Sequence, residues 1–236
     1  MQKYKLLQWD SDFFGFPVAI ITEASLCNDE LYIILAELVG DGVKLVYWPS
    51  SLDFCSKYAA LCQKGLHVDR KLTFIMSAGE VKENKIDIDI DEYNEPMIYK
   101  LSLLAIQCGY YSRFNIDPNM SLQTGAKLYV EWMTQSINKN IADKVFVARI
   151  QNEIVGVITL GNKNGIGDIG LLSIDQSFRG KSIGTQLVYK AQKWFIDNGF
   201  KSLQVVTQGN NIGARRLYEK CGYRVGLEQE YYHFWL

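Results

Sequence analysis

The sequence predicts an α/β protein in two parts, and three patterns support that fold class. Strand-length apolar runs alternate with segments of helical spacing along residues 1–79. A hairpin pattern at 145–160 and an apolar run at 169–174 precede a glycine-containing turn and an amphipathic helix. The aromatic residues at 231–235 predict a closing strand. We therefore expect sheets covered by helices.

Composition limits the classes of function. Hydrophobic residues make up 48% of the chain and the net charge is −1, so a large core is expected and nucleic acid is not an expected partner. The five cysteines form no Cys-x-x-Cys pair and there are two histidines, which favours free thiols and no metal. No apolar run reaches membrane-spanning length and residues 1–5 do not open a signal peptide, so we expect a cytoplasmic protein without membrane insertion.

Residues 1–79 predict a small α/β domain of their own. The predicted elements alternate along the chain: strand Val18–Ile21, helix Asp29–Val39, strand Val43–Trp48, helix Leu52–Gln63 and strand Leu72–Met76. Residues 63–68 echo residues 220–225 near the end of the chain, which hints that this first domain is a reduced relative of the second. The polar segment 80–85 predicts a linker, and residues 86–236 the second domain.

The second domain opens on alternating isoleucines and aspartates. Ile86, Ile88 and Ile90 predict a strand with its aspartates on a solvated face, because alternation places the carboxylates too far apart for one calcium ion. The elements expected next are a helix from Pro96 to Cys108, an aromatic loop at 110–119, a helix Leu122–Ile137, a hairpin of Val145–Arg149 with Ile154–Leu160, and a strand Gly167–Ile174.

The turn after that strand, residues 179–184 with the sequence Arg-Gly-Lys-Ser-Ile-Gly, joins it to a helix. A helix N-terminus has unpaired N–H groups and partial positive charge, and glycines let the backbone approach an anion, so a pyrophosphate-bearing ligand is expected there. The alternative is an ordinary glycine-containing turn. A P-loop would need a glycine where Asp175 stands, and a carboxylate there has the wrong charge for a triphosphate.

A second motif follows a strand at 202–207. It reads Asn211, Ala214, Tyr218, Lys220, Gly222 and Tyr223, and predicts a short helix closed by a glycine. Together the two motifs resemble the GNAT superfamily of acyl-CoA-dependent N-acyltransferases. The departure from the family pattern is Ser182, which replaces the usual first glycine of the turn. A serine is tolerable there if its φ stays helical, and it can alter how closely the diphosphate sits.

The resemblance implies a GNAT fold, with a mixed, mostly antiparallel central sheet flanked by helices, preceded by a smaller truncated GNAT-like α/β domain. The sequence at 9–15, with Ser112-Arg113-Phe114 and Asp117-Pro118, also resembles nucleotide-sugar N-acyltransferases of the dTDP-fucosamine acetyltransferase family. This closer resemblance implies transfer of an acetyl or short hydroxyacyl group from acyl-CoA to the amine of a dTDP-linked 3- or 4-amino-dideoxyhexose, for surface polysaccharide synthesis.

Site residues follow from the same resemblance. It assigns binding of acyl-CoA to Leu172, Ser173, Ile174, Arg179, Gly180, Lys181, Ser182, Ile183, Gly184, Thr185, Asn211 and Ala214. Tyr218 is the expected general acid, because a phenol stays protonated at neutral pH and can donate to a thiolate. Phe14, Tyr111, Ser112 and Arg113 are expected to bind the acceptor, although a packed loop with a structural arginine explains the last three equally well.

Several alternatives remain open at this stage. The group that takes the proton of the amine is Asp168, Tyr111 or a backbone carbonyl, or a chain of water molecules carries the proton away by itself. Within the fold, the acceptor is alternatively a protein, a peptide or a small-molecule amine. In another class, the chain is a non-catalytic acyl-CoA-binding sensor. The position of the acceptor amine, the acyl group and the formation of a homodimer also stay open.

Overall fold

A computed structural model of the chain describes residues 3–236. In chain order the strands and α-helices are β1 (Tyr4–Leu6), α1 (Gln8–Phe14), β2 (Val18–Ile21), α2 (Asn28–Gly40), β3 (Leu45–Ser50), α3 (Phe54–Cys62), β4 (Leu66–Ser77), β5 (Asp89–Glu92), α4 (Tyr99–Cys108), α5 (Arg113–Ile116), α6 (Leu122–Ile137), β6 (Lys144–Ile150), β7 (Glu153–Lys163), β8 (Ile166–Ile174), α7 (Ile183–Asp197), β9 (Ser202–Gln208), α8 (Ile212–Lys220) and β10 (Arg224–Trp235).

The chain divides into two compact units. The first contains Met1–Lys71 and Glu228–Leu236, and the second contains Leu72–Leu227. The chain enters the second unit within β4 and leaves it within β10. The division expected from sequence, with domains at 1–79 and 86–236 and a linker at 80–85, differs from these bounds. Local sequence offers no signal for a boundary that falls inside a strand.

The first unit is an α/β layer. Its strands lie in the order β1-β2-β3-β10, where β2 pairs with β3 in parallel and the other two pairs are antiparallel. Helices α2 and α3 pack on one face through a core that includes Leu31, Leu38, Trp48 and Ala59. The strand at β1 and the helix at α1 were not predicted, because three residues and one short apolar cluster carry little periodicity.

The second unit has strands in the order β4-β9-β8-β7-β6-β5. The pairs from β5 to β8 are antiparallel and β8 pairs with β9 in parallel, so the predicted mixed, mostly antiparallel sheet is confirmed. Successive residues of β6 point to opposite faces of the sheet. Phe146 joins the hydrophobic cluster under α7 and α8, and Val147 joins the cluster under α4 and α6.

The predicted starts of two elements in this unit are wrong by three residues. The first strand begins at Asp89 and not at Ile86, because the N–H groups of Asp87 and Ile88 donate to the Gln186 side chain instead of to a neighbouring strand. The aspartates of this segment are exposed, as predicted.

The second wrong boundary is the start of α4, which begins at Tyr99 and not at Pro96. The carbonyl of Pro96 instead accepts a hydrogen bond from the Tyr93 hydroxyl at 2.7 Å. The helix ends at Cys108 as predicted. Gly109 follows with φ −77°, so it is not there for a left-handed turn. A Cβ at Gly109 would lie 2.7 Å from the Tyr129 ring, so close packing against α6 excludes a side chain.

Candidate active site

The ladder between β7 and β8 contains a bulge. Ile158 pairs with Leu172, whereas Leu160 pairs with Ile169, so Gly170 and Leu171 together lie opposite Thr159. The Thr159 hydroxyl accepts a hydrogen bond from the Leu171 N–H at 2.8 Å, and a Cβ at Gly170 would lie 2.8 Å from the same oxygen. The bulge therefore depends on a glycine and on a buried threonine next to it.

Strands β8 and β9 separate at this bulge. Their ladder runs from the pair Gly167–Leu203 to the pair Ile169–Val205. Past that point, residues 170–174 of β8 and 206–208 of β9 line a cleft of about 1250 Å³. A ligand pocket for a drug-sized molecule typically measures about 300–1000 Å³, so this cleft has room for a ligand larger than that.

The turn after β8 leads along the cleft to the N-terminus of α7. Gly180 has φ +79° and Ser182, the N-cap residue of α7, has φ +60°. The condition under which Ser182 would be harmless, a helical φ, is therefore not met. The backbone here takes a left-handed conformation that favours glycine, and the Ser182 side chain makes no capping hydrogen bond.

Helix α4 braces the start of this turn. The Lys100 ammonium contacts Asp175 at 2.6 Å and Glu153 at 2.9 Å. The hydrogen bond from Lys100 is the main cause that lowers the pKa of Asp175, and the same contact raises the pKa of Lys100. The Arg179 guanidinium donates to the Ile174 carbonyl at 3.1 Å and to Gln107 at 3.3 Å, so it is held beside the end of β8.

Tyr218 lies in the wall of the cleft. It is 4% exposed and packs against the rings of Phe74 and Tyr223. Burial raises the pKa of its phenol well above the ordinary value, so the hydroxyl is protonated at neutral pH. Its helix, α8, is capped by the Asn211 side chain, which accepts from the Ala214 N–H at 3.2 Å. The predicted motif thus fixes the helix that carries the tyrosine.

The cleft brings together most of the residues predicted to bind acyl-CoA. It is lined by Leu172, Ser173, Ile174, Arg179, Gly180, Ser182, Ile183, Gly184, Thr185, Asn211 and Ala214. Lys181 is not in that lining, and its Nζ lies 4.8 Å from the centre of the Phe178 ring. Sequence reasoning did not single out Cys108, whose thiol donates to the Leu172 carbonyl at 3.4 Å and whose pKa burial raises to about 11.

The residues predicted to bind the acceptor are placed differently from one another. Tyr111 and Arg113 line the cleft together with Trp132 of α6. Ser112 is buried and caps α5, where its hydroxyl accepts from the Phe114 N–H at 3.3 Å. Phe14 belongs to the first unit, at the end of α1, and stacks on Phe16.

Residues 3–236 lack two features that mark other classes of protein. No helix in this part of the chain is long and apolar enough to cross a membrane. The same residues contain no group of three His, Cys, Asp or Glu side chains arranged to hold a metal ion.

A mixed sheet that opens between two parallel strands beside a helix N-terminus defines a GNAT fold. Residues 110–223 match the acetyltransferase (GNAT) family. A tandem GNAT protein from the clavulanic acid biosynthesis pathway superposes with a TM-score of 0.58 at 9% identity, over 94% of this chain and 76% of that chain. The predicted fold class, including a smaller α/β part before the GNAT domain, is confirmed.

Curated relatives match part of the chain. The spore coat polysaccharide biosynthesis protein SpsD of Bacillus subtilis (strain 168) is 26% identical over 124 residues, which cover 52% of this chain and 43% of that protein. A streptothricin acetyltransferase from Escherichia coli is 34% identical over 80 residues, which cover 34% of this chain and 46% of that protein. The chain thus spans less than half the length of each relative.

Proposed function

We propose that the protein is an acyl-CoA-dependent N-acyltransferase that acts on a nucleotide-linked amino sugar. The observation that carries the proposal is the opened edge of β8, which runs from the bulge at Gly170 directly into the turn at the N-terminus of α7. An extended ligand with peptide-like groups and a diphosphate matches both halves of this surface.

Binding of acyl-CoA uses two kinds of contact. The pantetheine amides hydrogen-bond to the backbone of Leu172, Ser173 and Ile174 as an added strand would. The diphosphate accepts hydrogen bonds from the first N–H groups of α7, a helix of 15 residues whose dipole favours an anion there. Gly184 keeps this helix close to α8, because a Cβ at that position would lie 3.2 Å from Leu217.

Transfer proceeds by direct attack. The acceptor amine attacks the thioester carbon, negative charge gathers on the carbonyl oxygen, and backbone N–H groups near the bulge stabilise that charge. The C–S bond then breaks, and the Tyr218 hydroxyl gives its proton to the departing thiolate. Burial raises the pKa of this phenol, so Tyr218 enters the reaction protonated and can donate.

The acceptor side of the cleft supports a nucleotide-linked sugar. Tyr111 and Trp132 offer aromatic faces for a base or a sugar ring, and Arg113 supplies charge for a diphosphate. The relative from Bacillus subtilis is named for polysaccharide biosynthesis, which agrees with this acceptor class. The match to a streptothricin acetyltransferase favours a second candidate, a small-molecule amine.

The test is thiol release from a panel of acyl-CoAs with dTDP-3-amino- and dTDP-4-amino-dideoxyhexoses as acceptors, and with streptothricin as the competing acceptor. Product mass identifies the acyl group and the acceptor. We expect turnover that depends on an amino sugar nucleotide. Turnover with streptothricin alone would assign the second candidate, and acetyl-CoA binding without turnover of any amine would indicate a sensor.

A further inference from the structure

We propose that the exposed face of α4 is the interface of a homodimer, in which the α4 helices of two copies pack antiparallel about a twofold axis. This face carries four apolar side chains: Tyr99, Leu103 and Ile106 of α4, and Tyr110 of the 3-10 turn that follows the helix. The four residues, named here the α4 stripe, are 78%, 37%, 41% and 74% exposed in that order.

The first support is that α4 is apolar on both of its faces. Leu101, Leu104 and Ala105 are fully buried in the cluster that α4 shares with α6. The residues of the α4 stripe are spaced by four, three and four positions, so they lie together on the opposite side of the helix. A helix that is apolar all round is normally buried, and a large exposed apolar patch marks an interaction site.

The second support is that the α4 stripe is complementary to itself. It has a tyrosine at each end and an aliphatic residue at each middle position, and its spacing reads the same in both directions. A twofold axis between Leu104 and Ala105 places Leu103 opposite Ile106 of the partner subunit, and Tyr99 opposite Tyr110 of the partner subunit. A twofold interface needs one patch that fits a second copy of itself, and this order of residues meets that need.

The third support is electrostatic. The sequence of α4 has one charged residue, Lys100, whose ammonium contacts Asp175 and Glu153 of the same chain. The twofold axis places Lys100 opposite Gly109 of the partner subunit, so no like charges of the two helices meet. Antiparallel helices also bring each positive N-terminus beside a negative C-terminus. A membrane surface fits less well, because helices that lie on anionic lipid present several free cations beside their apolar face.

The area of the α4 stripe suits a weak dimer. A fully covered aromatic side chain buries about 150–250 Å², and the two tyrosines here are about three-quarters exposed, so the stripe offers roughly 400–500 Å² per copy. Two copies together bury close to about 1000 Å², which is the lower limit for a specific interface. We therefore expect a reversible dimer with a Kd on the order of micromolar.

The proposed interface reaches the edge of the cleft. Tyr110 and Gln107 line the cleft, and the Tyr110 ring packs against that of Tyr111 at 5.0 Å between ring centres. In the dimer, Tyr99 of the partner subunit packs on Tyr110. Each copy thus adds one side chain to the rim of the other copy's cleft.

The first test is sedimentation equilibrium of the purified protein from about 1 µM to about 200 µM, where the wild type should change from monomer to dimer. Leu103→Lys and Ile106→Glu each place a charge in the interface and should raise the Kd by about 100-fold or more. Leu61→Glu is the matched control, because Leu61 is an apolar residue of α3 that is 75% exposed. It should keep the wild-type Kd.

The second test mixes the two single variants. Because Leu103 lies opposite Ile106 of the partner subunit, a heterodimer of Leu103→Lys with Ile106→Glu joins the new lysine to the new glutamate. Its other contact joins the unchanged Leu103 to the unchanged Ile106. Each variant alone should therefore be monomeric and their equimolar mixture dimeric, which also shows that both variants fold. Parallel packing of the helices would give no such rescue.

Three results would overturn the proposal: a wild type that stays monomeric to about 200 µM, a dimer lost in Leu61→Glu but kept in Leu103→Lys, or a mixture that stays monomeric. None of these measurements needs a substrate, so failure to acylate any amine would overturn the proposed function and not the dimer. Where the wild type does acylate an amine, loss of the dimer should raise the KM for that amine. An unchanged KM would remove the partner's Tyr99 from the rim of the cleft.

Discussion

Ser182 offers a test of the turn before α7 that needs no substrate. It has φ +60° and ψ 12° at the N-cap of α7 and makes no capping hydrogen bond. A left-handed conformation costs a non-glycine residue about 1–2 kcal/mol, which a glycine would avoid. Glycine also has a larger conformational entropy in the unfolded chain, and this offsets about 0.5–1 kcal/mol of the gain. Ser182→Gly should therefore raise the free energy of unfolding by about 0.5–1 kcal/mol, measured by urea titration of the purified protein.

The control is the same substitution at another N-cap serine. Ser121 caps α6 with φ −71°, and its hydroxyl accepts from the Thr124 N–H at 3.3 Å. Ser121→Gly should lower the free energy of unfolding by a few tenths of a kcal/mol, because it removes the cap and relieves no strain. If Ser182→Gly destabilised the protein as Ser121→Gly does, the assignment of strain to Ser182 would be refuted.

Three further substitutions test the site. Tyr218→Phe should lower kcat by about 100-fold or more with acetyl-CoA binding retained, and a wild-type rate with chemistry rate-limiting would remove the general-acid role. Thr159→Val leaves the buried Leu171 N–H without its acceptor and should cost about 1–3 kcal/mol in a urea titration, whereas Thr159→Ser keeps the acceptor and serves as control. Lys100→Met should raise the KM for acyl-CoA, because Asp175 at the start of the turn loses its cation. Since Lys100 lowers the pKa of Asp175 below its ordinary 3.8, this stabilisation is present above pH 3.8 and is lost as the pH falls through the lower folded value. The stability difference between Lys100→Met and the wild type should therefore shrink in strong acid.

Local sequence determined the elements that carry the site. The bounds predicted for α6, Leu122–Ile137, are those observed, because sixteen residues of helical periodicity follow a serine that caps them. The strand before the glycine turn was predicted from an apolar run of strand length, and the helix after it from apolar residues at helical spacing. The motif from Asn211 to Tyr223 also predicted the short helix that carries Tyr218, and the structure places this buried tyrosine in the wall of the cleft.

Tertiary structure decided what local patterns do not encode. A residue's φ depends on the path of the chain on both sides of it, so the sequence left the conformation of Ser182 open, and the structure gives it a left-handed one. The pairing of Asp168 with Gln204 joins residues 36 positions apart, and the register of two strands sets it. The same holds for Cys108 against Leu172 and for the part of the cleft that is lined by Tyr111, Arg113 and Trp132. Side-chain type and spacing fix local conformation, whereas the residues that meet at one site are set by strand order and register, which depend on burying both faces of the sheet at once.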